Sequence, residues 1–282
     1  MSSSWKSYFK GEEHAAVYNK IRPSPPQALI QNIVDYLLEK LKSPLNEALD
    51  VGCGSGQSTK VLEPYFKKIT GIDPSEEQII EAQSKNTYPK ITYRIGSAEK
   101  IEYPDASVQL ITASQACHWF DLPKFYEEVE RILVPGGILA MYGYLLPTPM
   151  WKEKTEELSG IVYKYYNIAL GKYIPPESRM VYLENYRGDD FMKIPFAKEP
   201  IIRDESVSSE NPGTVADIVG FMKSGSAFQN FLNIEGSAKA SVLLQEFEKE
   251  LMDTLGISAP PEETPIIIQY KYFVIMARKP LP

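Results

Sequence analysis

The sequence predicts an α/β fold built on a doubly wound, mostly parallel sheet. Three observations carry the prediction. An apolar run closes on Asp50 and is followed at once by glycines at alternate positions, Gly52, Gly54 and Gly56. A second strand-like run, residues 68–72, also ends on an acid, Asp73. Strand-like and helix-like segments then alternate as far as residue 145. Strand, glycine turn and helix in that order bring the backbone of a parallel sheet close to a small ligand. Glycine permits the tight turn and the close approach because it has no Cβ. A βαβα succession implies parallel strands joined by right-handed crossovers.

The elements follow in order. Residues 25–41 read as an amphipathic helix. Its Leu29, Ile30, Ile33, Val34, Leu37, Leu38 and Leu41 recur at helical spacing, and Pro25 and Pro26 suit its start. A strand is expected over 47–51, a helix over 57–66 and a strand over 68–72. A helix follows over 75–85, where Ser75 and Gln78 are spaced as a capping box. Strands at 91–95 and 107–113 come next, then a helix at 122–133 carrying Phe125, Val129, Ile132 and Leu133. A Pro135-Gly136-Gly137 turn leads into a buried strand at 138–145.

Beyond Pro147 the pattern changes. Residues 151–170 look helical and aromatic-rich, 171–192 mix proline, tyrosine and charge, and 196–207 read as a strand. Helices are expected at 213–232 and 237–255. Residues 266–277 form a β-branched, aromatic strand that with 196–207 makes an antiparallel edge. The expected domains are a ligand-binding core with N-terminal helices over 1–146 and a helical, aromatic cap insertion over 147–195. A C-terminal part, 196–282, completes the sheet, and its helices within 213–255 add to the cap.

Composition narrows the function classes. A chain of 282 residues can bury a large core. Its 30 Lys+Arg against 37 Asp+Glu give a formal charge of −7, which argues against a general nucleic-acid binder. No apolar run approaches the roughly 20 residues of a membrane span. The first residues lack the apolar core of a signal peptide, so a cytoplasmic protein without a membrane partner is expected. Cys53 and Cys117 are too few for a disulfide framework and read as free thiols. Two Cys and two His spread this way form no zinc pattern, so no metal is expected.

The glycine spacing selects among ligands. A dinucleotide fingerprint begun at Gly52 needs its third glycine where Gln57 stands, which speaks against an NAD-linked dehydrogenase. A P-loop needs Gly-Lys-Ser/Thr, which is absent. An acid at the tip of the second strand, Asp73, can accept two hydrogen bonds from a ribose diol. The stretch Asp50-x-Gly52-x-Gly54-x-Gly56 resembles motif I of the class I S-adenosylmethionine (SAM)-dependent methyltransferases, of the methyltransferase type 11-like kind. The resemblance extends over residues 14–145. Within it, residues 18–23 (Tyr-x-x-x-Arg-Pro), the Cys117-His118-Trp119-Phe120-Asp121 segment and Gly143-Tyr144 are similar to the trans-aconitate methyltransferase type of small-molecule enzyme.

That resemblance implies a Rossmann-like, seven-stranded sheet with an antiparallel last strand, a helical substrate cap, and SAM as cofactor with S-adenosylhomocysteine as product. It puts Gly52, Cys53, Gly54 and Gly56 near the methionine portion, with Asp50 steadying the turn or the amino group. It puts Asp73, with Pro74 beside it, at the ribose, and Ser97, Ala98 and Glu99 at the adenine. Ser114 and Gln115 fall on the methionyl side of the cleft. Arg22 and Tyr18 could bond a carboxylate, either that of SAM or that of an acidic substrate; Arg22 has the planar fork for it. Trp119 and Tyr144 either wall the substrate pocket or pack as ordinary core.

His118 is the candidate catalytic residue. It is a base, a group that orients substrate, or a residue that bonds a loop. The function implied is methyl transfer to a small molecule, with a carboxylate giving a methyl ester as the first reading, because a carboxylate needs no base at neutral pH. The alternatives are O- or N-methylation of another metabolite with His118 as base, and a SAM-binding regulatory module without turnover. A monomer or homodimer is expected, with a small molecule as partner.

Overall fold

The computed structural model describes residues 22–282. Tyr18 and His14 lie outside the described residues. Nine strands occur among those described: β1 (Leu45–Val51), β2 (Phe66–Asp73), β3 (Ile91–Ile95), β4 (Val108–Ser114), β5 (Leu133–Tyr144), β6 (Thr148–Met150), β7 (Ile202–Asp204), β8 (Ser208–Thr214) and β9 (Pro265–Arg278). The chain divides into two compact units.

The sheet unit comprises residues 24–144, 184–207 and 272–282. Its strands lie in the order β3-β2-β1-β4-β5-β9-β7. The first five are parallel. The C-terminal half of β9 runs antiparallel to β5 and carries β7, also antiparallel, against its residues 274–276. This is the mostly parallel, seven-stranded α/β sheet the sequence predicts. Strands β1, β4 and β5 are almost wholly buried along their central residues, the mark of a parallel sheet covered on both faces. Helix Gln27–Leu38 buries Leu29, Ile30, Ile33, Val34 and Leu37. The last two leucines of the predicted stripe fall off it, because the helix stops at Leu38, which is 38% exposed. The strand order reverses between β1 and β4, so their C-terminal ends flank a topological switch point, where such sheets bind ligands.

The helical unit includes residues 145–183 and 208–271. In it β6 and β8 pair antiparallel with the N-terminal half of β9. Aromatic side chains fill its interior: Tyr165 packs on Phe247, Tyr166 on Tyr182 and Tyr173 on Phe231. The boundary between the two units, after residue 183, falls within residues 147–195. The reason is local packing, because Tyr186 and Phe191 stack on each other and Tyr186 meets Phe273 edge-on, all within the sheet unit.

Several expected elements differ. The helix at 57–66 is a single turn, Gln57–Lys60. Tighter turns replace it, with Leu62 N–H bonded to Thr59 O and Tyr65 N–H to Leu62 O, before Phe66 opens β2. Pro64, without an N–H, cannot extend a helix there. Pro135-Gly136-Gly137 lies inside β5 as an irregularity, where the register to β4 shifts and Gly136 takes φ +80°. The predicted helix 151–170 is an α-helix, Thr155–Tyr163, that widens into a π-helical segment, Lys164–Ala169. Gly225, in an extended conformation, splits the predicted helix 213–232 into Val215–Ser224 and Ser226–Glu235. Of 196–207 only β7 is strand. The sequence reading missed β8, whose Pro212 and Gly213 disguise it. Both are tolerated because, among the described residues, β8 pairs only with β9, and Gly213 leaves room for Ile268.

Candidate active site

The turn after β1 is fastened to the tip of β2. Gly52 and Cys53 both donate their N–H to Ile72 O, and Gly54 donates to Asp73 Oδ2 at 2.9 Å. Asp73 Oδ1 accepts the Ser75 N–H, which also seats the N-cap of helix Glu76–Ser84. Burial lifts the Asp73 pKa above the usual carboxylate range, against the pull of the Ser75 and Gly54 N–H groups.

The three glycines have left-handed φ for different reasons. A Cβ on Gly52 would stand 2.5 Å from Ala116 Cβ and strike the Phe120 ring. On Gly56 it would meet the Tyr93 ring, which also requires Gly71 behind it. On Gly54 it would meet only Gln78 Oε1, at 3.6 Å. Gly52 and Gly56 therefore make room for the protein itself, and Gly54 is the one that leaves open space at the turn.

Asp50 is fully buried beneath this turn. Its Oδ2 accepts the hydroxyls of Ser58 and Thr59, each at 2.7 Å, and its Oδ1 accepts Thr112 Oγ1 at 2.8 Å. Burial raises its pKa, and the three hydroxyls of Thr59, Ser58 and Thr112 oppose the rise. One carboxylate thus ties β1 to the first helical turn and to its sheet neighbour β4, where Asp50 and Thr112 are in register. Sequence reading missed Thr112, Ser58 and Thr59. A lone threonine inside the apolar run of β4 was the available signal. Cys53 is buried, and its desolvation, with the negative charges of Asp50 and Asp73, pushes its thiol pKa well up.

Around the tip of β3, Ser97 and Glu99 are half-buried and Ala98 is buried; Pro74 is exposed. The Glu99 carboxylate accepts the Ser97 hydroxyl and, at 3.0 Å, the Asp121 N–H.

At the end of β4 the half-buried Ser114 precedes Gln115, which has a left-handed φ of +51°. Gln115 Nε2 donates to Tyr144 O at 3.1 Å, which fixes the orientation of the amide. Its Oε1 is buried with no hydrogen-bond partner among the described residues. Gly143 makes space for that oxygen, since a Cβ there would lie 2.6 Å from it.

His118 follows on a short helical turn, Cys117–Trp119. Its Nδ1 lies 2.6 Å from the hydroxyl of Tyr186, and its ring tilts against Trp119 at 5.0 Å. Burial pushes the His118 pKa down to about 3, so the ring is neutral at ordinary pH. Tyr186 is the last of the many tyrosines between 142 and 186, and nothing local marks it as the partner of His118, 68 positions away. Tyr144 is buried, edge-on to Tyr272. Arg22 belongs to the helical unit, where it is buried. It bonds Tyr182 Oη at 2.9 Å and Ser224 Oγ at 3.1 Å, and lies over the Phe221 ring at 4.1 Å.

Among the described residues no cluster of three or more His, Cys, Asp or Glu could hold a metal ion. No helix among them is long and apolar enough to cross a membrane.

Known proteins are similar to this chain. Residues 49–141 match the methyltransferase domain family Methyltransf_11. A Dictyostelium discoideum protein named as a methyltransferase is 30% identical over 263 residues, 93% of this chain and 92% of its own length. A Saccharomyces cerevisiae protein named as a SAM-dependent methyltransferase is 31% identical over 191 residues, 65% of this chain and 62% of its own. The solved structure of an Anaeromyxobacter dehalogenans protein named as a type II methyltransferase superposes with a TM-score of 0.72 at 29% identity, covering 93% of this chain and 99% of that one.

Proposed function

The chain belongs to the class I SAM-dependent methyltransferases of the Methyltransf_11-like family, and on that premise we propose that its acceptor is a small-molecule carboxylate, converted to a methyl ester. The protein binds SAM and methylates a small molecule. Bound SAM supplies a methyl group already activated on a sulfonium, which leaves as a neutral thioether.

The residues at the switch point fit this cofactor. Gly54 keeps the turn open on one side, and Gln115 Oε1 is a buried acceptor awaiting a donor such as an ammonium group. In this reading the Gly52–Gly56 turn, with Cys53, and Ser114 and Gln115 hold the methionyl portion. Asp73, with Pro74 beside it, holds the ribose, and Ser97, Ala98 and Glu99 border the adenine. Asp50 acts from beneath, by steadying the turn. Trp119 and Tyr144 border the acceptor, while the Arg22 guanidinium is held by Tyr182 and Ser224 within the helical unit.

The observation that carries the carboxylate reading is the state of His118. It is one of two histidines in the chain, and its Nδ1 is engaged by Tyr186 while burial disfavours its protonated form. Such an imidazole is a poor proton acceptor. An amine or hydroxyl nucleophile needs a base, whereas a carboxylate is ionised at neutral pH. The residues' task is then alignment and exclusion of water, which can supply about 7–11 kcal/mol of a barrier. The similarity of Arg22-Pro23, the 117–121 segment and Gly143-Tyr144 to trans-aconitate-type enzymes points the same way.

The test is incubation of purified protein with methyl-labelled SAM and a panel of acids, alcohols and amines. Label is expected in base-labile esters. Labelled amines or ethers with no ester would overturn the reading.

A further inference from the structure

We propose that Tyr186 is the positioning residue for His118: its hydroxyl donates to Nδ1 and holds the imidazole as the Nε2–H tautomer, so that His118 meets the acceptor as a hydrogen-bond donor. The role of the Nε2–H rests on the carboxylate reading above; the tautomer does not.

The geometry begins with the backbone. Asn185 and Tyr186 take left-handed φ in succession, +52° and +53°. Neither is glycine, and two such residues in a row persist only where the surroundings over-determine them. Here they do. Arg203, on β7, donates to Asn185 O at 2.7 Å. The Tyr186 ring is fully buried, stacked on Phe191 at 4.3 Å and 11°, with Phe273 edge-on at 5.2 Å. The strained turn and the aromatic clamp together aim one hydroxyl at one ring nitrogen, 2.6 Å away. A tyrosine serving only as core packing needs neither the strain nor the contact.

The direction of the bond follows from acid–base chemistry. A neutral imidazole nitrogen is a far better acceptor than a phenol oxygen, and a phenol O–H is a better donor than a neutral imidazole N–H. The pair is therefore O–H···Nδ1, at a separation typical of a strong hydroxyl donor. With Nδ1 accepting, the ring proton sits on Nε2. An Nε2–H can bond one oxygen of an acceptor carboxylate while the other oxygen attacks. In that transfer the oxygen lone pair forms the new C–O bond and the C–S pair returns to sulfur. No proton moves, so a donor is useful where a base has no task.

The experiment is nitrogen NMR of the full-length protein labelled with 15N at histidine, with His118→Asn used to assign the two imidazoles. At neutral pH His118 is expected to show a protonated Nε2 and a bare Nδ1. The opposite tautomer in the wild-type protein overturns the proposal. Tyr186→Phe is expected to erase the tautomer bias, and an unchanged spectrum in that variant also overturns it. Kinetically, Tyr186→Phe should raise KM for the acid about tenfold, the worth of one hydrogen bond to a charged group, with SAM affinity unchanged. An Nε2–H signal in a protein that esterifies no acid supports the pairing and overturns the acceptor reading alone.

Discussion

Gly54→Ala is expected to separate ligand binding from folding, and Gly52→Ala to do the reverse. At Gly54 the new methyl group enters open space, with its nearest neighbour, Gln78 Oε1, at ordinary contact distance, 3.6 Å. The stability cost is then the left-handed backbone alone, at φ +52°, about 1–2 kcal/mol. At Gly52 the same backbone cost applies, and the methyl group also lies 2.5 Å from Ala116 Cβ. Overpacking of that kind adds about 1–3 kcal/mol. Urea unfolding of the unliganded variants should therefore rank Gly52→Ala well below Gly54→Ala, with Ala116→Gly recovering part of the difference. Calorimetric titration should give the opposite emphasis: Gly54→Ala keeps most of its stability and loses at least about tenfold in SAM affinity, roughly 1.4 kcal/mol. Wild-type SAM affinity in Gly54→Ala would refute the assignment of that face to the ligand. Equal destabilisation by the two substitutions would refute the packing argument.

Two further expectations concern Asp50 and His118. Asp50→Ala should destabilise by about 3–5 kcal/mol, because it strands buried hydroxyls and leaves a void, while Asp50→Asn, whose amide the hydroxyls can rotate to meet, should cost about 1–2 kcal/mol. Equal denaturation midpoints for the two variants would show that the hydroxyl network holds nothing. His118 has a folded-state pKa near 3, below its ordinary 6.5. The unfolded chain therefore binds the extra proton first, so this contribution is intact above pH 6.5 and is lost as pH falls toward 3. The stability difference between wild type and His118→Asn should shrink by at most about 1.4 kcal/mol per pH unit below 6.5. A difference that stays constant from pH 7 to 5 would mean that the imidazole is not desolvated.

How far the sequence reaches can be judged from particular elements. Strand β3, helix Glu76–Ser84 and helix Leu122–Ile132 lie within a residue or two of their predicted bounds. Each has a periodic apolar face and a clear stop, so local chemistry fixes it. The helix after the glycine turn was overread because Leu62 and Phe66 keep helical spacing while the chain between them only turns. Strand β8 was missed because Pro212 and Gly213 are strand breakers except where a strand has one partner.

By itself, then, the sequence determined the alternating architecture and the glycine turn with its two strand-end acids, and, through the family resemblance these carry, it pointed to SAM-dependent chemistry, because such motifs lie in residues close together in the chain. Tertiary structure decided the rest. Only folding showed that Gly52 and Gly56 yield to Ala116 and Tyr93 while Gly54 stays open, that Asp50 is spent on three hydroxyls, and that Tyr186 reaches His118. Apart from the bonds of Asp50 to Ser58 and Thr59, those facts are distances between residues far apart in sequence, set by sheet register and ring packing, and no local pattern encodes them.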